Sequence, residues 1–461
     1  MDQTKKTSSS IIILSFLVLE VLAFVGFSLG SSFPLYAIVG IATFCLILFL
    51  TNVQLKKEGL TSFATFLIPL FIFGLLCVVS GFSGYFDMTT NIFIPISFLA
   101  FSGIGYFATQ FKEFKLKNAL LVIYSSIALL TLISYFYNMI QFVPFYTIIY
   151  RNSYIVYDGL PSSVAIGKMA YMLVGFSFKE VLVEHFAIFP SLLLTAGACL
   201  FFINPKKSPK IFALYTSFAV FGAIVLITMP TIMTLISTFM IACATLVLVL
   251  YLKGEISKKI IKYGAIGVGA LLAVLFLVAF LNANGYLPFV ASNPLLNKIF
   301  NSNRLAIPFN FILSHVLNVF GFFGNHFGYF YEHGVQGHIG LSNSWLFDNF
   351  VYAGILGWVL FLVAVFFAGK SIVKFINSDE ENKMEKALLV AFVLGFGLYA
   401  IFSYESQPYV NYSNFTPYYM SGPFLICLFL IGYTFKSKEI TVTQKEESAE
   451  VNEYTIGEEN I

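Results

Sequence analysis

The chain has 461 residues, of which 58% are hydrophobic and 11% charged, with a mean hydropathy of +0.86. Soluble proteins carry about a quarter charged residues, so a soluble globular fold is excluded. A formal net charge of +3 gives no basis for nucleic-acid binding. The five cysteines, Cys45, Cys77, Cys199, Cys243 and Cys427, fall in apolar runs without paired spacing, which argues against a disulfide framework or a thiolate metal site.

Apolar runs of about 17–25 residues are long enough to span a bilayer. They predict an all-α polytopic membrane protein with about twelve transmembrane helices, near 11–29, 34–52, 61–80, 92–110, 119–141, 183–203, 211–228, 231–252, 263–281, 346–368, 388–404 and 418–435. The first run follows Lys5-Lys6 and lacks a small-residue cleavage site, so it is expected as a permanent helix. With both termini cytoplasmic, 21 of the 24 lysines fall on the inner side and only Lys168, Lys179 and Lys298 on the outer side, as the charge bias of cytoplasmic loops requires. Residues 1–438 then form one integral helical bundle, and 439–461 a disordered acidic cytoplasmic tail. The expected location is a plasma membrane.

Two outer loops are long, about 142–182 and 282–345, the second lying between the ninth and tenth helices. The first contains 166–178, expected as a helix on the membrane surface. The second holds 305–323, interrupted by Pro308, His315 and Asn318 and expected as interfacial or re-entrant.

Both arginines, Arg151 and Arg304, fall in these loops against the charge bias. A permanently charged fork of donors suits phosphate or pyrophosphate; the alternative is an interfacial ion pair with Asp158 or Glu332. Four of the five histidines (His315, His326, His333, His338) lie in the second loop, but their spacing forms no zinc motif. Hydrogen bonding to a polar ligand suits some of them, His326 and His338 among the candidates, with the others at a wet interface. Glu405, in Tyr404-Glu405-Ser406-Gln407-Pro408 and followed by Asn411 and Asn414, is placed to accept a proton from a sugar hydroxyl or to hold an arginine. A solvated helix cap is the plain alternative. Glu20 reads as a packed polar group, His185 as a partner of Glu184, and Asp348 as favourable to a helix dipole. Tyrosines and asparagines crowd the outer segments, as an aromatic belt does, and offer faces and amides that suit sugars. No nucleotide-binding motif is present, so the energy for any reaction comes from the substrate or a gradient.

The order Asn301-Ser302-Asn303-Arg304, Gly321 to Gly328, Ser342-Asn343-Ser344-Trp345-Leu346, Gly354-Ile355-Leu356-Gly357, then Glu405, Asn411 and Asn414 resembles the bacterial O-antigen and capsular polysaccharide polymerases (Wzy) and the related O-antigen ligases. It spans about residues 282–415; the first half is similar only in hydropathy. Ser342 stands where ligases place a histidine, and the hairpin Thr228-Met229-Pro230-Thr231 lacks the family's usual basic residue. The resemblance implies a metal-independent glycosyltransferase without cofactor. It would join oligosaccharide repeat units, carried on undecaprenyl pyrophosphate, outside the plasma membrane, in the company of a flippase and a chain-length regulator. It implies Arg304, with Arg151 second, for the diphosphate and Glu405 as base or as the group orienting Arg304. Asn343, His326, His338, Tyr404 and Asn411 would hold sugar. A ligase and a lipid-linked oligosaccharide flippase or transporter are the alternatives.

Overall fold

The computed structural model of the chain describes residues 11–17, 35–50, 57–81, 88–111, 114–141, 188–203, 209–228, 232–283, 285–294, 296, 345–378, 382–402 and 422–435. Among the described residues the regular elements are all α-helices: α1 (11–17), α2 (Leu35–Leu50), α3 (Lys57–Gly81), α4 (Met88–Ala108), α5 (Leu116–Gln141), α6 (Ile188–Ile203), α7 (Pro209–Thr228), α8 (Ile232–Lys253), α9 (Lys258–Ala283), the short α10 (Pro288–Ser292), α11 (Trp345–Ile376), α12 (Lys383–Phe402) and α13 (Gly422–Tyr433). Each of the twelve predicted apolar runs overlaps one of these helices. Among the described residues three stretches, Gly59–Val79, Pro209–Leu226 and Ala353–Ile376, are long and apolar enough to cross a membrane, and shorter apolar stretches lie on several other helices.

The helices are apolar on the inside and the outside alike, but with different side chains. On α3, Phe63, Phe66, Leu70, Phe73 and Cys77 are buried at spacings of three and four residues, whereas Ile68, Ile72, Leu75 and Val79 on the other side are exposed. In water, leaving such a side chain uncovered forfeits up to about 1.5–3 kcal/mol; against acyl chains it costs nothing comparable. A helix that is hydrophobic all round belongs in such surroundings.

Packing inside the bundle is set by glycines. A Cβ on Gly105 of α4 would lie 2.8 Å from the carbonyl carbon of Phe429 on α13, and one on Gly432 of α13 would lie 2.9 Å from the carbonyl carbon of Ser102 on α4. Each backbone therefore rests in the notch left by the other's glycine, the small-residue contact typical of membrane helices. Gly197 and Gly222 do the same between α6 and α7, the latter against the Pro190 carbonyl oxygen at 2.6 Å. Gly74 admits the backbone of Pro95, which lies inside α4.

Two groups of helices result. In one, α4 packs on α2, α3 and α13, and α3 also packs on α11; in the other, α6 packs on α5, α7, α8 and α12. The groups meet where α12 packs on α11 and α13. Hydroxyl pairs sit in these seams: Ser371 with Thr434 at 2.8 Å, Ser191 with Thr238 at 2.9 Å, and the Tyr124 hydroxyl donating to the Leu388 carbonyl at 3.0 Å.

One end of the bundle collects the lysines. Phe63 near the start of α3 stacks on Tyr106 near the end of α4 with centroids 4.7 Å apart, and also meets Phe435 just beyond α13. Tyr433 contacts Phe114 and Phe375. Tyr251 at the end of α8 donates to Asn377 Oδ1, just beyond α11, at 2.6 Å. Lys386 on α12 donates to the carbonyls of Ile376, at 3.2 Å, and Ser378, closing the end of α11. Tyr124 near the start of α5 meets Tyr215 near the start of α7. These contacts bring the starts of α3, α5, α7 and α12 and the ends of α4, α8, α11 and α13 together. The described lysines lie at or near these helix ends, with those of α9 close by across the turn Gly254 to Ser257.

Candidate functional site

The segments carrying the sequence-predicted polar residues are attached at the opposite end. A layer of rings crosses the middle of the bundle: Phe73 of α3 contacts Phe361 of α11 and Phe98 of α4, Phe98 contacts Phe424 of α13, and Phe424 contacts Phe396 of α12. Beyond this layer, away from the lysines, α12 runs about 9 Å further to Phe402, α13 begins at Gly422, and α11 reaches back toward Trp345. The stretches 403–421 and 297–344 are therefore joined, at the α12, α13 and α11 sides, to helix ends on one face of the bundle. In the second group, the starts of α6 and α8 and the end of α7 meet on that side through Ser191, Thr238, Pro190 and Gly222.

The most distinctive local feature on this face is a break in α11. Gly354 has φ 64° and ψ −167°, so two helical stretches, 345–353 and 355–376, meet there at a kink. That region of backbone space is accessible essentially only to glycine. Gly354 and Ala353 are buried, and a Cβ on Gly357 would press on the Ala353 side chain and lie 3.3 Å from the Phe73 ring. Both glycines of Gly354-Ile355-Leu356-Gly357 thus have a steric reason. The kink places Trp345 to Tyr352, with Asp348 and Asn349, on a helical segment ahead of the one that runs from Ile355 to Ile376. Discontinuous helices of this kind are tolerated in membranes where they are enclosed by protein or line a polar cavity.

Arg151, Arg304, His326, His338, Asn343, Tyr404, Glu405 and Asn411 all lie outside the described residues, as do Glu20, His185 and the surface helices expected at 166–178 and 305–323. Comparison with known protein families and with curated proteins gives no match. The five cysteines are free thiols, three of them buried, with Cys199 Sγ 3.9 Å from the Ala387 carbonyl oxygen. Among the described residues no three His, Cys, Asp or Glu side chains are grouped as a metal site.

Sequence reasoning missed the discontinuity in α11. Its signal is a glycine within an apolar run, but Gly354 and Gly357 look alike in sequence, and only the former carries the positive φ. The capping of α11 by Lys386 was also missed. In sequence that residue is one more lysine of a loop; in the fold it is buried among carbonyl oxygens.

Proposed function

We propose that the chain is a multi-pass bacterial plasma-membrane protein of about twelve spans that polymerises oligosaccharide repeat units carried on undecaprenyl pyrophosphate. In this reading the lysine-bearing end of the bundle faces the cytoplasm, because basic residues are retained there. The opposite face, where the broken helix α11 and the stems of 297–344 and 403–421 come together, is then extracytoplasmic.

The observation that carries the reading is this separation: described lysines at one end, and the attachments of the polar motif-bearing segments at the other. A carrier needs polarity along the path through the membrane, whereas an enzyme acting on one face needs it at that face. The reaction breaks the anomeric carbon–oxygen bond to the diphosphate and forms one to an acceptor hydroxyl, whose proton passes to a base. Arg304 and Arg151 neutralise charge growing on the leaving diphosphate, and Glu405 receives the proton or orients Arg304. Asn343, Tyr404, Asn411, His326 and His338 hold the sugars by hydrogen bonding and stacking.

The deciding experiment supplies purified protein with a single lipid-linked repeat unit. A ladder of longer lipid-linked products is expected. Translocation without bond formation would make the protein a flippase, and transfer only to a different acceptor would make it a ligase.

A further inference from the structure

Helix α9 stands apart from the two groups. Among the described residues its evident packing is with α10, through Ala279 and Val290, and no other described helix packs along it. A Cβ on Gly264, Gly267 or Gly269 would meet nothing within 4 Å, unlike the glycines that seat α4 on α13. One face of α9 runs through Lys259, Lys262, Ile266, Ala270, Ala273 and Leu277, at spacings of three and four residues, and every one of these residues is exposed. Polarity along this face is divided lengthwise, with two ammonium groups at the start and apolar side chains for about 22 Å beyond them.

The lysines have no local reason to be there. Cations in the first turn of a helix oppose its dipole. The one acidic neighbour in the preceding turn, Glu255, lies 3.5 Å from Lys253, and Lys258, Lys259 and Lys262 make no ion pair among the described residues. Tyr263, 69% exposed, adds the amphipathic ring that prefers the headgroup level.

We infer that this face of α9 is a binding surface for an anionic phospholipid of the leaflet at the lysine-bearing end, its phosphate held by Lys259 and Lys262 and its acyl chains lying on Ile266 to Leu277. The exposed apolar length exceeds one leaflet of hydrocarbon, roughly 15 Å, so a full acyl chain fits along it. Charge selects the occupant. A second copy packed in parallel on the same face would bring the two sets of lysines together, and like charges so placed repel. The acidic segment 445–461 of this chain matches the lysines but has no counterpart for the apolar length. Basic residues next to a membrane helix attract anionic lipid with a strength that falls with salt.

The test needs no glycan substrate and so stands apart from the polymerase reading. The full chain is placed in phosphatidylcholine nanodiscs containing trace spin-labelled phosphatidylglycerol or spin-labelled phosphatidylcholine, and the motionally restricted fraction of each probe is measured. At low salt the anionic probe is expected to be preferred at least threefold, with the preference falling in 0.5 M salt. The K259Q/K262Q variant should bring it to parity, while K115Q/K117Q, at the same end of the bundle, should leave it intact. Equal binding of the two probes by the unaltered chain overturns the inference, as does an undiminished preference in K259Q/K262Q. A preference that emerges only after deletion of 445–461 also overturns it, since the tail would then hold the lysines.

Discussion

Gly105 and Gly432 sit across the α4–α13 contact in each other's notches, with a Cβ at Gly105 coming within 3.0 Å of the Tyr433 amide nitrogen. The atoms in the way are main-chain atoms, which cannot swing aside. Gly105→Leu is therefore expected to destabilise by about 3 kcal/mol or more, at the upper end of overpacking costs. Gly369→Ala, on an open part of α11, should be neutral or stabilising by up to about 1 kcal/mol. Thermal unfolding of both variants in the same detergent checks the contrast; equal melting temperatures would show that the α4–α13 contact is not closed as described.

At Gly354 the backbone, not the space around it, sets the expectation. Ala and Asn both suffer at φ 64°, ψ −167°, and Asn, which tolerates ordinary left-handed turns, gains no advantage in this region. Gly354→Ala and Gly354→Asn should each cost about 1–3 kcal/mol. Gly354→Asn proving clearly milder, in thermal unfolding, would mean that the kink relaxes to a common left-handed turn.

Lys386 is expected to matter more than Lys383, although they are one turn apart. The first is buried and donates to carbonyls at the end of α11, whereas the second is exposed. Lys386→Met leaves those carbonyls without their donor and should lose about 1–3 kcal/mol; Lys383→Met should change stability by no more than about 0.5 kcal/mol. Melting temperatures of the two variants decide it.

Ser371 and Thr434 offer a measure of polar adhesion between α11 and α13. A double-mutant cycle with Ser371→Ala and Thr434→Val should give a coupling of about 0.6 kcal/mol, the usual worth of a hydrogen bond between membrane helices. Additive effects would mean that the 2.8 Å contact contributes nothing.

For the proposed reaction, Arg304→Ala and Glu405→Gln should each leave single lipid-linked repeat units accumulating in cells while the protein stays at normal levels in the membrane, with polymer reduced at least a hundredfold, in line with removing a transition-state contact or a general base. Full-length polymer from both variants would remove these residues from the mechanism.

The apolar runs located the helices well because hydrocarbon-length stretches of Leu, Ile, Val and Phe permit little else. Several of their ends moved outward where lysines flank them. The ninth run, expected at 263–281, starts at Lys258, and the third, expected at 61–80, starts at Lys57. Lysine is a good helix former whose stem can cover apolar surface while its head reaches water, so the backbone winds on after the hydropathy has fallen. The tenth helix, expected at 346–368, runs to Ile376 for the same reason, through Lys370 and Lys374. What periodicity did not reveal was partnership. The run that became α9 resembles its neighbours in composition, yet it stands outside both groups, because glycines that accept a neighbouring backbone and glycines that face outward are identical in sequence. The candidate site rests on motifs in 297–344 and 403–421 together with Arg151, all outside the described residues; the helix ends from which 403–421 and 297–344 extend lie on the face away from the lysines.

Among the described helices α13 is the most enclosed, with every residue from Phe424 to Phe435 buried, and it is also the last along the chain. Synthesis proceeds from the amino terminus, so α4 reaches the membrane while the backbone that will fill its glycine notch has not yet been translated. Until then Ser102 and Gly105 must face acyl chains or a temporary neighbour. Among the described helices α13 is thus the last to be made, and it seats against α4, α11 and α12 made before it; a stop codon ahead of Gly422 would remove an enclosed helix of the first group instead of trimming an edge.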